Sequence, residues 1–117
     1  ALNEVHDECS RRQNWHIVLS NPCFEVWLLY HTTACLDNLQ IATGDDCKEA
    51  LGAQTPQGYD PKRYIVLMKE ASRNARAADK SNGWFPDAGS TKIYELIDAL
   101  MRFVSAREYE EFVERKK

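Results

Sequence analysis

The stretch Ser20-Asn21-Pro22-Cys23-Phe24-Glu25-Val26-Trp27-Leu28-Leu29-Tyr30-His31 constrains the fold of this chain more than any other. It reads as a turn followed by a short helix, residues 22–31, that is apolar almost all round, and a helix apolar on every side is normally buried. Asn21 is a good N-cap, and Pro22 suits the first helical position. Glu25 alone breaks the apolar run. A carboxylate among buried side chains needs a reason, because an unpaired buried charge is costly.

The preceding run, Trp15-His16-Ile17-Val18-Leu19, is apolar, β-branched and bounded by polar residues, so residues 15–19 are the one strand the sequence predicts. Elsewhere the patterning is helical. Leu2, Val5 and Cys9 predict an amphipathic helix over 2–12, and Thr43 caps a short one over 44–51, stopped by Gly52. Asp60-Pro61 opens a long helix over 61–79, in which Tyr64, Leu67, Met68, Ala71, Ala75 and Ala78 recur at helical intervals. Ser90 or Thr91 starts a further helix with Ile93, Tyr94, Ile97, Leu100, Met101 and Val104 on its buried face. Ser105 and Glu108 form a capping-box pattern for a last, highly charged helix anchored by Tyr109 and Phe112. Residues 32–44 are weakly patterned and read as loop. The expectation is one mostly helical α/β domain, residues 1–117, with one strand and four to five helices. One strand makes no sheet, and a strand running straight into a capped helix is an α/β feature, so the rest of the sheet is expected outside these residues.

A chain of 117 residues, 44% hydrophobic and 28% charged, is long enough for one modest core. Its net charge of -3 gives no overall pull toward nucleic acid or anionic membrane. Cys9, Cys23, Cys35 and Cys47 show neither a CxxC pair nor zinc-finger spacing from a histidine, and no signal peptide is visible. They read as buried free thiols of a cytoplasmic protein. No apolar run approaches bilayer-spanning length. The chain opens at Ala1-Leu2-Asn3 without Met, like the middle of a longer protein.

Glu25 has two readings. In one, it is stabilised by the amides and dipole of the helix N-terminus. In the other, it is a metal ligand or general base where a strand gives way to a helix, the place open α/β sheets put their chemistry. Ser20 and Asn21 shape the turn or offer polar groups to a phosphate or metal-bound water. His31, at the helix C-terminus, suits an imidazolium there, and His16 is a core or surface histidine.

The long helix carries a second face. Lys62, Lys69, Arg73, Arg76 and Lys80 follow at steps of seven, four, three and four, along one side. Residues 61–80 hold six Lys or Arg against Glu70 and Asp79, a local excess of +4. This is either a solvated face or an electrostatic rail for a phosphate backbone. Stacking aromatics at regular spacing are absent from the stripe, so base recognition is not supported. No Gly-rich phosphate loop, Ser-His-Asp order or paired metal-ligand histidines appear.

The segment Ser20-Asn21-Pro22-Cys23-Phe24-Glu25-x-Trp27-Leu28-Leu29-x-His31 resembles the signature of the RloB family. Asn74-Ala75-Arg76-Ala77-Ala78-Asp79 is similar to that family's small-residue, basic helix, and Thr91-Lys92-Ile93-Tyr94-Glu95-Leu96-Ile97 to its closing segment. The resemblance implies a partial Toprim-like fold. It also implies a role in bacterial anti-phage defence at restriction loci, a partner ATPase of the RloA type, and magnesium-dependent phosphodiester cleavage in nucleic acid. Toprim nucleases hold magnesium with an early Glu and an Asp-x-Asp pair, and use a later Ser-x-Glu-like carboxylate. Glu25, with Ser20 nearby, matches that later element, as metal ligand and catalytic group. No Asp-x-Asp occurs here; Asp45-Asp46 is adjacent and follows the signature. The resemblance thus implies the C-terminal part of an RloB protein, inactive as a nuclease by itself. The rival expectation is a non-catalytic module that docks a partner ATPase or forms a homodimer.

Overall fold

The structure is a computed structural model and describes residues 1–116. Its α-helices are α1 (Leu2–Arg11), α2 (Glu25–Leu29), α3 (Gly44–Gln54), α4 (Pro61–Val66), α5 (Met68–Ala78), α6 (Ile93–Met101) and α7 (Ala106–Lys116). A 3-10 turn covers Asp37–Leu39 in the predicted loop. Two short strands, β1 (Ser20–Asn21) and β2 (Ser90–Thr91), pair antiparallel with Ser20 opposite Thr91 and Asn21 opposite Ser90. The chain is therefore mostly helical α/β, as expected.

The strand lies elsewhere than residues 15–19. Among the described residues, the only backbone–backbone bond that run makes is at its end, where the Lys92 amide donates to Leu19 O at 2.7 Å. Strand composition in Trp15–Val18 finds no backbone partner among the described residues, and Trp15 is exposed. Pairing begins where the 86–92 segment arrives. There the Gly89 amide donates to Asn21 O at 2.8 Å, and the Ser20 and Thr91 hydroxyls meet at 2.7 Å. This also overturns Asn21 as a helix cap. Its backbone is in β1, its side-chain amide donates to Pro86 O at 3.0 Å, and the Asn21–Pro22 peptide is cis. Helix α2 starts later, with Phe24 at the N-cap and no side-chain cap.

Helix α2 is the centre of the core. Val26, Trp27, Leu28, Leu29, Tyr30 and His31 are all buried, and α3, α5 and the strand pair pack round them with Leu36, Cys47, Tyr64, Ala71, Ala75 and Ile97. The flanking helices obey local rules more closely. Thr43 and Asp46 form a reciprocal capping box on α3, with Asp46 N–H donating to Thr43 Oγ1 at 3.2 Å and Thr43 N–H to Asp46 Oδ2 at 2.9 Å. Gly52 does not stop α3. A glycine inside a helix costs only about 1 kcal/mol, and Gln54, two residues on, is held by the Thr32 and Thr33 hydroxyls at 2.5 and 2.9 Å. Asp60 caps α4 through the Lys62 amide at 3.1 Å, with Pro61 at the first position.

The predicted helix over 61–79 is divided at Leu67, which leaves α-helical geometry at ψ 6. The reason is tertiary. Tyr109, from α7, donates its hydroxyl to Ile65 O at 2.8 Å, with Val66 O at 3.3 Å, so carbonyls at the end of α4 have a partner outside the helix. The last element anchors as expected, with the Glu108 amide on Ser105 Oγ at 3.1 Å.

Helix α6 also starts later than Ser90 or Thr91. Those residues form the buried β2, Lys92 is the N-cap, and Thr91 Oγ1 accepts from the Ile93 amide at 3.1 Å. Of its predicted buried face, Ile97 is buried and Ile93, Tyr94 and Met101 are half-buried, whereas Leu100 and Val104 are exposed. The apolar residues Leu2 and Val5 of α1 are exposed too. A shape of 42 × 36 × 22 Å leaves such a slab with too little depth to cover both faces of its outer helices. All four cysteines are free thiols, but only Cys47 is buried; Cys9 and Cys23 are half-buried and Cys35 is exposed.

Tyr109→Phe keeps the ring and leaves the Ile65 carbonyl without its donor. Chemical denaturation should show a loss of about 1–2 kcal/mol; an unchanged midpoint would mean that the hydroxyl does not hold α7 to the α4–α5 junction.

Candidate functional site

Glu25 sits in the first turn of α2, on a helix that cannot shift without disturbing the core. The residues after it pin it in place. Tyr30 Oη donates to Gly89 O at 2.6 Å, and Asn74 Nδ2 donates to Tyr30 O at 2.8 Å, tying the end of α2 to the β2 segment and to α5. Glu25 itself is half-exposed and makes no hydrogen bond or ion pair among the described residues. In particular, no backbone amide holds it. Ser20, its predicted companion, is engaged with Thr91 in the strand pair. No three His, Cys, Asp or Glu side chains come together as a metal-holding group among the described residues. The residues present therefore do not form a magnesium site of their own. Glu25 is a single available carboxylate.

The buried Cys47 thiol is not a nucleophile in waiting. Burial, the hydrogen bond with Cys23 and the negative charges of Cys23, Glu25 and Asp46 push the Cys47 thiol up to about 12, and a thiol held protonated is inert. His31 departs from the imidazolium expectation. It is buried, its Nδ1 donates to Trp27 O at 3.0 Å, and it stands edge-on to the Trp27 and Tyr64 rings. Burial lowers its pKa and outweighs the backbone carbonyls of Trp27 and Leu28, which favour the charged form. His31 is a core residue whose burial favours the neutral form. His16 is exposed.

The basic residues lie on the α4–α5 surface, but several have partners. Arg73 Nη1 is 3.5 Å from Glu70, and Arg76 pairs with Asp98 of α6 while lying over the Tyr94 ring at 5.2 Å. Lys69 Nζ sits 4.7 Å from the Tyr109 ring centre, and Lys80 Nζ donates to Ala77 O at 3.1 Å. Lys62, on α4, is exposed. The division at Leu67 separates Lys62 from the four cations that follow.

One cluster was not legible in the sequence. Asp79, counted there as an acid diluting the basic stripe, faces inward with its side chain 2% exposed, against Lys92 at 5%. Its Oδ2 accepts from Lys92 Nζ at 2.5 Å and from Tyr94 Oη, while its Oδ1 accepts from the Ser81 hydroxyl at 2.6 Å and the Ser81 amide at 3.1 Å. Lys92 also donates to Ser81 O at 3.0 Å. The Asp79-x-Ser81 turn is a local signal; Lys92 as its counter-ion has none. Asp79 is thus neutralised internally and does not subtract from the surface charge of α5.

Burial alone would raise the Asp79 pKa, but the hydrogen bonds from Lys92, Ser81 and Tyr94 outweigh it and hold the carboxyl at about 2. A carboxyl whose folded pKa lies below its unfolded value contributes stability that is complete above the unfolded pKa. That contribution is lost as pH falls through the folded one. Asp79 should therefore cost the fold on the order of 2 kcal/mol between about pH 5 and pH 1, and the lowered pKa of His31 removes stability over a higher window, as pH falls below about 6.5. Lys92→Met leaves Asp79 buried without its cation and should destabilise by about 3–5 kcal/mol at pH 7, with the loss shrinking in acid as Asp79 protonates. A pH-independent loss in denaturation experiments would contradict the ion pair.

No solved structure matches the chain. Residues 2–100 match the family model described as RloB-like protein. That span takes in the Ser20–His31 segment, the α5 helix and the β2–α6 segment, the three stretches on which the resemblance rests. The chain is a member of the RloB-like family.

Proposed function

We propose that this chain is part of a Toprim-like, metal-dependent nuclease of bacterial anti-phage defence, and that Glu25 is the carboxylate it contributes to phosphodiester cleavage. The observation that carries this reading is the state of Glu25: half-exposed and unpaired at the start of a helix whose every following residue is buried. A carboxylate with a purely structural duty at a helix N-terminus accepts from the first-turn amides; here the Val26 and Trp27 amides donate instead to Cys23 O and Phe24 O at 3.1 and 2.9 Å. Magnesium needs several oxygen ligands, so the reading requires further carboxylates, an Asp-x-Asp above all, from outside these residues. Ser20 serves in this scheme by fixing β1 against Thr91 and so setting the turn into α2. Lys62, Lys69, Arg73, Arg76 and Lys80 supply a phosphate-facing surface, and a RloA-type ATPase is the proposed partner.

A second reading has its own support. Among the described residues no helix is long and apolar enough to cross a membrane, yet Leu96, Leu100 and Phe103 are 44, 51 and 87% exposed. Of these, Leu96 lines a groove of about 730 Å³ between α1 and α6, together with His6, Trp15 and Trp84. Such a surface suits a non-catalytic module that docks an ATPase or a second copy.

The two readings separate on Glu25→Gln. In a preparation that cleaves nucleic acid with the remaining ligands supplied, this substitution should lower the rate at least about a hundredfold and leave the melting temperature unchanged, because Glu25 holds nothing in the fold. The 117-residue chain alone should show no magnesium-dependent cleavage. Normal cleavage by the Gln variant would remove Glu25 from the mechanism, and cleavage by the chain alone would overturn the requirement for further ligands from outside these residues.

A further inference from the structure

Between α5 and α6 lies a shallow groove of about 500 Å³, lined by Lys69, Ser72, Arg73, Arg76, Ile97 and Asp98, with Ala77 at its end. The four polar residues of α5 stand at i, i+3, i+4 and i+7, so they share one face of the helix. Ser72 is out of place there. It is 8% exposed, and among the described residues its Oγ is the one buried side-chain oxygen or nitrogen without a hydrogen-bond partner. Its neighbours Ala71 and Ala75, both fully buried, show that small apolar side chains suit this surface of α5. Alanine at 72 would avoid the unpaired hydroxyl and favour the helix. At the same place Arg76 already holds an anion, the Asp98 carboxylate of α6.

We propose that this groove binds a phosphate group, with the Ser72 hydroxyl as donor and Lys69, Arg73 and Arg76 as its cations. A phosphate oxygen would give Ser72 the partner it lacks, and the guanidinium of Arg76 would exchange one oxyanion for another. The groups facing the site are the three cations and Glu70 on α5, and Asp98 on α6; Tyr109 of α7 lies under Lys69. A single staggered rotamer change turns a serine hydroxyl toward the groove. Asp98 is then a resident competitor that keeps the site closed until a stronger anion arrives. The proposal rests on the nucleic-acid reading of α5 only for the source of the phosphate, which is either a backbone phosphodiester or a free phosphate group.

The probe is inorganic phosphate, titrated into the 117-residue chain against chloride at matched ionic strength and followed by amide chemical shifts and thermal melting. Wild-type protein should show saturable shifts confined to α5 and the Ile97–Asp98 part of α6, with a rise in melting temperature. Ser72→Ala should melt no lower than wild type without phosphate and bind phosphate about tenfold more weakly, the worth of one hydrogen bond to a charged acceptor. Asp98→Asn should bind it more tightly. The absence of a phosphate-specific response in wild type, or an unchanged affinity in Ser72→Ala, would overturn the site. A single-stranded oligonucleotide then distinguishes the sources. If it displaces phosphate from the same amides, the ligand is a backbone phosphodiester. If the phosphate response stands and the oligonucleotide does not compete, the site holds for free phosphate and the nucleic-acid reading of α5 fails by itself.

Discussion

The buried pair of Asp79 and Lys92 fixes the arrangement on which the rest of this molecule depends. It joins the C-terminal end of α5 to the residue between β2 and α6, and every oxygen of the carboxylate is satisfied by Lys92, Ser81 or Tyr94. Ion pairs taken from water are neutral to stability at best when compared with apolar packing, but removing one partner is expensive. What this pair supplies is position. Lys92 immediately follows the two strand residues that meet β1, and its own amide bonds Leu19. Holding Lys92 therefore holds β2, β2 holds β1, and β1 delivers the chain into α2.

Helix α2 is consequently a buried pedestal, gripped at its far end by the Tyr30 bonds to Gly89 and from Asn74. Its first turn is the part that reaches the surface, and Glu25 is the group it presents there. The rigidity matters for function, because a group meant to contribute to chemistry must be held in place by elements that do not depend on it. The rest of the slab is less closed. Its radius of gyration is 15.1 Å, against about 13.4 Å for a compact domain of this length. The excess is the structural counterpart of the uncovered apolar residues on α1 and α6, and of a Trp15–Val18 run that has strand composition and, among the described residues, no strand beside it.

What could be read from the sequence follows from which interactions are local. The caps Thr43–Asp46 and Asp60–Pro61 act within one turn, and both helices start where those residues place them. Asn21–Pro22 carries the same local signal, yet Asn21 is used by a chain segment 65 residues away, through Pro86. The division at Leu67 likewise answers a tyrosine 44 residues on from Ile65, whose carbonyl it bonds, and Lys92 is chosen as the partner of Asp79 across 13 residues. Periodicity cannot show these choices. The burial of α2 was legible because its apolar run leaves no other option. The imidazolium expected at His31 from the helix dipole is disfavoured because that dipole is a weaker influence than burial between two aromatic rings.

Hydrogen exchange under native conditions tests the central claim, that α2 is fixed through the α5–β2–α6 connection, most directly. The amides of Tyr30, His31 and Thr33, bonded within and just beyond α2, should exchange only by global unfolding, while those of α1 and α7 exchange by local opening. In Asp79→Asn, the protection of the α2 amides should fall by the whole loss in unfolding free energy. Exchange of the α2 amides through a local opening, or protection there that is indifferent to Asp79→Asn, would contradict it.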